Sequence, residues 1–135
     1  MATYVKFQPF VEAVAEKVHN LGSDQLAVAL TNTAPNATDA TLSQITEISY
    51  TNLSSRAITT SSSAQTTGTY KLTLTDLVLT ASGSVGPFRY VVIYNDTSAS
   101  DNLIAYYDYG TSISLASGET FTIDFDASNG FLTIA

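Results

Sequence analysis

A chain of 135 residues, 44% apolar and 13% charged, is long enough for one domain with its own core, and its composition excludes a coiled coil, a collagen-like chain and a charge-driven disordered chain. Sixteen Ser and twenty Thr stand in for the missing charges, and β-branched Thr together with backbone-competing Ser favours strands over helices. Twelve acidic against five basic residues give a net charge of −7; Lys6, Lys17, Arg56, Lys71 and Arg89 are scattered, so the clustered cations needed for nucleic acid or an anionic membrane are missing.

No cysteine is present, which excludes disulfides, thiol nucleophiles and thiolate metal sites. The opening Met1 to Lys6 lacks the basic and long apolar regions of a signal peptide. The expectation is a soluble protein made in the cytosol.

Residues 1–8 read as an extended arm. From Pro9 to about Leu21, Phe7, Phe10, Val14, Val18 and Leu21 recur at three- and four-residue steps, with Val11 widening the stripe. Pro9 suits the first helical position and Gly22 the residue just past the end, so the pattern predicts an amphipathic helix over 9–21. Gln25 to Thr31 alternates as a strand, and Asn32 to Asp39 is a loop. Thr41-Leu42-Ser43-Gln44 suits a capped helical turn. An irregular strand is expected around Arg56 to Ser61.

Beyond that point strands follow one another. Thr69 to Leu74 alternates Tyr70, Leu72 and Leu74, and Leu77 to Ala81 continues the sheet. Ser82 to Pro87 reads as a loop from its Gly and Pro content. Phe88 to Tyr94 is apolar on both faces and predicts a central strand. Leu103 to Tyr109 is its hairpin partner across the polar turn Asn95 to Asn102. Ile113 to Leu115 is a short strand; Glu119 to Asp126 alternates with Phe121, Ile123 and Phe125 inward; Phe131 to Ile134 closes the chain. One helix and seven to nine strands, with no helix between strands, predict a mainly β single domain over 1–135: an antiparallel β-sandwich, jelly-roll-like, with one N-terminal amphipathic α-helix.

The search for chemistry assigns no catalytic, cofactor-binding or metal-ligating residue. His19 has no Ser or Cys partner at motif spacing and reads as a polar residue near a helix end, where a cation would suit the dipole. Asp124 and Asp126 lie two apart on one solvent-facing side, but lack the spacing of a calcium loop. No serine sits in a nucleophile elbow, and no glycine-rich phosphate loop opens a helix. Eight Tyr without Trp stand out. Core packing, a protein interface and a sugar platform all use Tyr in this way. Tyr4, Phe7, Tyr106 and Tyr107 are the candidate interface residues.

Several segments together resemble small structural proteins of tailed bacteriophages: Phe10-Val11-Glu12 through Leu21, Leu26 to Asn32, Ile45-Thr46-Glu47-Ile48, Gly86-Pro87-Phe88-Arg89-Tyr90 through Asn95, and Gly118-Glu119-Thr120-Phe121 to Gly130. Within these the chain is most similar to capsid decoration, or cement, proteins. The resemblance implies a non-enzymatic protein on the outer capsid surface of a virion, made in the bacterial host cytoplasm. Its partners would be the major capsid protein lattice and copies of itself as a homotrimer. A carbohydrate-binding or adhesin-like β-sandwich and a phage tail or fibre component are the competing readings.

Overall fold

The computed structural model describes residues 2–135; Met1, which heads the expected arm, lies outside the described residues. In chain order come β1 Thr3–Lys6, α1 Pro9–Ala15, β2 Leu26–Thr31, β3 Thr60–Thr66, β4 Thr69–Leu74, β5 Leu77–Thr80, β6 Val85–Asn95, β7 Leu103–Leu115, β8 Thr120–Ile123 and β9 Leu132–Ile134. A four-stranded sheet has the order β1-β7-β6-β2, a three-stranded sheet the order β3-β4-β9, and β5 pairs with β8. Every pairing is antiparallel. The fold is mainly β, with one helix near its N-terminus.

β6 is the central strand that its apolar run predicted. Tyr90 to Asn95 is buried residue after residue, flanked by β7 and β2, and both faces must therefore be covered. Ring contacts identify the covers. On one face Tyr107 meets Phe125 at 6.3 Å and Phe131 at 6.4 Å, and Tyr109 meets Phe121 at 5.1 Å, so residues of and beside β8 and β9 lie over β7 there. On the other face Tyr106 meets Phe7 at 5.2 Å and Tyr90 at 6.2 Å. Leu26, Val28 and Leu30 of β2 are buried as expected, but so are Ala27, Ala29 and Thr31 between them.

The outer edge of β2 is closed without a regular strand. Val28 N–H donates to Arg56 O, Ile58 N–H to Leu26 O and Ile48 N–H to Leu30 O. The Arg56 guanidinium lies 3.7 Å from the Tyr50 ring centroid and donates to Val28 O. An unpaired edge invites association with other chains, and this segment blunts it. The strand expected over Arg56 to Ser61 is thus displaced: Ala57 makes one bridge to Ala27, and the strand proper starts at Thr60.

Four further expectations are corrected. The helix ends at Ala15, six residues early, because Lys17 takes the left-handed region at φ 69°. Lys17 N–H then donates to Val14 O and Val18 N–H to Ala13 O, a Schellman closure built on Lys rather than Gly22. Residues 1–8 are not an arm over the part described: Thr3–Lys6 pairs with Ala105–Asp108 as an edge strand. Val85 to Pro87 belongs to β6, not to a loop; Gly86 at φ 107° carries the irregularity that its Gly-Pro pair signalled. Ile113 to Leu115 is the end of one thirteen-residue strand, β7, with Gly110 at φ 80° within it. The Thr41–Gln44 turn is present, as a 3₁₀ turn over Leu42–Gln44 with the reciprocal capping box.

The β1 pairing has a measurable consequence. Cross-strand pairs contribute about 0.2–1 kcal/mol each, and β1 makes four. Deleting residues 2–6 is expected to lower stability by about 1–3 kcal/mol in urea unfolding. An unchanged midpoint would mean β1 is dispensable.

Candidate functional site

The four tyrosine and phenylalanine positions singled out in the sequence do not form one surface. Phe7 is fully buried and is core, not interface, because β1 leads it directly beneath Tyr106. Tyr106 is half-buried on that same face. Tyr4 and Tyr107 sit on the opposite face, where the register sets them directly across from each other with ring centroids 5.6 Å apart. Tyr107 is 8% exposed and Tyr4 38%.

Around Tyr4 and Tyr107 the strands enclose a groove of about 540 Å³. Tyr109, two residues along β7, adds a third phenol on the same face, and Phe131 forms the floor through an edge-on contact with Tyr4 at 5.6 Å. Thr122, Asp124 and Asp126 supply the polar wall. They come from the outward side of the alternating Glu119 to Asp126 segment, whose inward side buries Ile123 and Phe125 completely. Asp124 Oδ1 accepts from Asp126 N–H, and Asp126 holds Asn129 through Oδ1 and Oδ2, which keeps the Asp126 carboxyl below the usual range.

None of the three phenol hydroxyls makes a hydrogen bond among the described residues, and those of Tyr107 and Tyr109 are not sealed from solvent. Burial pushes Tyr4 and Tyr109 up to about 12, Asp124 adding to the shift at Tyr109. Tyr107 rises further, by burial first and then by the neighbouring phenols and carboxylates. All three therefore remain hydroxyl donors at neutral pH. Asp124 and Asp126 were visible in the sequence as a paired outward set; that Tyr4 joins them follows from the β1–β7 pairing, which leaves no local signal.

A second constellation surrounds His19. Asn95, fully buried, has its Oδ1 fixed by the N–H groups of Thr97 and Ser98 at 2.9 and 3.1 Å. Its Nδ2 must then donate, to Asp24 Oδ2 at 2.7 Å and to His19 Nδ1 at 3.0 Å. His19 Nδ1 is an acceptor, so the imidazole is neutral with its proton on Nε2, which is buried without a partner. The cation expected at a helix end is thus disfavoured: the helix stops short, and burial lowers the His19 pKa against the opposing pull of Asp24.

The sign of the pH effect follows. An unfolded histidine takes up its proton near pH 6.5 and the folded one resists, so the unfolded state binds more protons below that value. Stability is expected to be full above about pH 6.5 and to fall as the pH drops below it. His19→Gln should flatten that limb in denaturant titrations; a variant as steep as the parent would exclude His19 as the source.

A third feature is apolar. Phe10, Val11 and Val14 of α1 face Leu132 and Ile134 of β9 across a depression of about 330 Å³, with Lys6 at its rim. Val14 and Ile134 also border a larger depression of about 620 Å³ that runs on to Val18, Leu21 and Tyr70, with Lys17 beside it. Val11, Val18 and Ile134 are 56%, 39% and 44% exposed. Val11 and Val18 were expected on the buried stripe. The early stop of α1 takes Val18 off the helix, and Val11 points into the depression.

Among the described residues no group of three or more His, Asp or Glu side chains is placed to hold a metal ion, and no helix is long and apolar enough to cross a membrane. No protein-family model, no curated protein and no solved structure matches this chain.

Proposed function

We propose that this chain is a non-enzymatic structural protein of a tailed-phage virion, a decoration protein that binds the outer surface of the capsid and stabilises the expanded head. Its partners in this reading are the major capsid protein lattice and further copies of itself, as a trimer. Its three antiparallel sheets are read as a jelly-roll-like sandwich. The observation that carries the proposal is the strip of exposed apolar side chains Val11, Val18 and Ile134 beside α1 and β9, on a surface otherwise rich in Ser and Thr hydroxyls. Large exposed apolar side chains grouped together mark protein–protein contacts. The segments that resemble phage structural proteins support it independently, and they include α1 itself.

Cryo-electron microscopy of particles with and without the protein tests the reading. Density of this size on the outer head, lost from particles lacking the protein, is the expected result. Density confined to the tail would replace decoration with a tail role, and none at all would overturn a virion role.

A further inference from the structure

The geometry points to a saccharide-binding site in the groove formed by Tyr4, Tyr107, Tyr109 and Asp124, taking a neutral mono- or disaccharide. Its size, about 540 Å³, falls within the range of small-molecule sites and suits one or two sugar rings. The lining is aromatic with a few placed polar groups, the usual make-up of such sites. Tyr4, 38% exposed, offers apolar ring surface against which the C–H side of a pyranose can lie.

The polar groups match a polyol. Three phenol hydroxyls have no hydrogen-bond partner among the described residues and stay protonated, so each can donate to a sugar oxygen. Asp124 is exposed, and its Oδ1 is used by Asp126 N–H while Oδ2 makes no hydrogen bond among the described residues. A carboxylate oxygen in that position accepts from sugar hydroxyls, and such charged acceptors form the stronger hydrogen bonds. Thr122 adds a hydroxyl that both donates and accepts.

The same inventory discriminates against other ligands. No Lys or Arg lines the groove, and Asp124 and Asp126 would repel phosphate or carboxylate groups. This inference stands apart from the capsid reading, since it uses neither α1 nor the apolar strip.

The test is amide NMR titration of the full chain with glucose, galactose, N-acetylglucosamine, maltose and lactose, beside N-acetylneuraminate and arginine as charged probes. Saturable shifts with at least one neutral sugar, confined to residues around Tyr4, Tyr107 and Asp124, are expected. Asp124→Asn keeps the Oδ1 acceptor for Asp126 N–H and should weaken binding about tenfold. Tyr109→Phe keeps the ring contact with Phe121 and should weaken it about fivefold. Tyr106→Phe, on the other sheet face, should bind as the parent does. No shifts with any neutral sugar, shifts with the charged probes alone, or binding indifferent to both groove variants would each overturn the site.

Discussion

Phe125→Ala is expected to destabilise the protein by about 3–5 kcal/mol. Phe125 is fully buried and meets Tyr107 at 6.3 Å and Phe131 at 5.8 Å, beneath the groove. Removing the ring gives up its transfer free energy and leaves a cavity between sheets that cannot close over it. Thr122→Ala, on the exposed side of the same alternating segment, is expected to change stability by less than about 0.5 kcal/mol. Urea unfolding with an unchanged m-value is the measurement. Equal losses for the two would mean that the inward face of the segment has been misassigned.

The second large effect belongs to the lattice. If the strip along α1 and β9 is the capsid contact, Val11→Asp places a charge in the apolar contact at a site 56% exposed in the free chain. Fold stability should move by less than about 0.5 kcal/mol. Retention on expanded capsids should fall far more. Contacts repeated across linked subunits raise avidity by about 10²–10⁴ over a single site, and weakening each contact removes that gain. Tight binding of the parent to expanded capsids is expected, with little binding to unassembled capsid protein. Co-sedimentation measures both, and a Val11→Asp variant that co-sediments like the parent would remove the strip from the interface.

Elements fixed by local chemistry were legible in the sequence. The alternation of Tyr70, Leu72 and Leu74 gives β4 at its observed bounds, and the Thr41–Gln44 capping box gives the turn. Phe88 to Tyr94, apolar on both faces, is central because no other arrangement covers both. Most of what failed depended on partners far along the chain. Nothing near Thr3 announces that Asp108 lies across from it, so an edge strand reads as an arm. Phe7 has the spacing of a helix-stripe residue and also of an interface anchor; Tyr106 settles it as core. Lys17 in the left-handed region defeats the rule that places Gly there, and with it the length of α1.

The candidate site divides the same way. Asp124 and Asp126 were legible as an outward pair from period-two alternation alone. Their meeting with Tyr4 was not, because it joins β1 to the end of β8 across more than a hundred residues, and that with Tyr109 depends on how β8 lies over β7.

The bonds around Asn95 bear on how this molecule opens. One amide side chain holds the Thr97 and Ser98 N–H groups, Asp24 and His19, and Asp24 in turn accepts from Asn20 N–H. The segment after α1 and the turn between β6 and β7 are thereby fastened to one another through the last residue of β6, at the end of the β2–β6 ladder. Hydrogen exchange at Asn20, Thr97 and Ser98 should then proceed through one shared local opening, with a common free energy below that of the β6 core amides. Asn95→Ala would release all three amides together and leave Val91 to Ile93 protected.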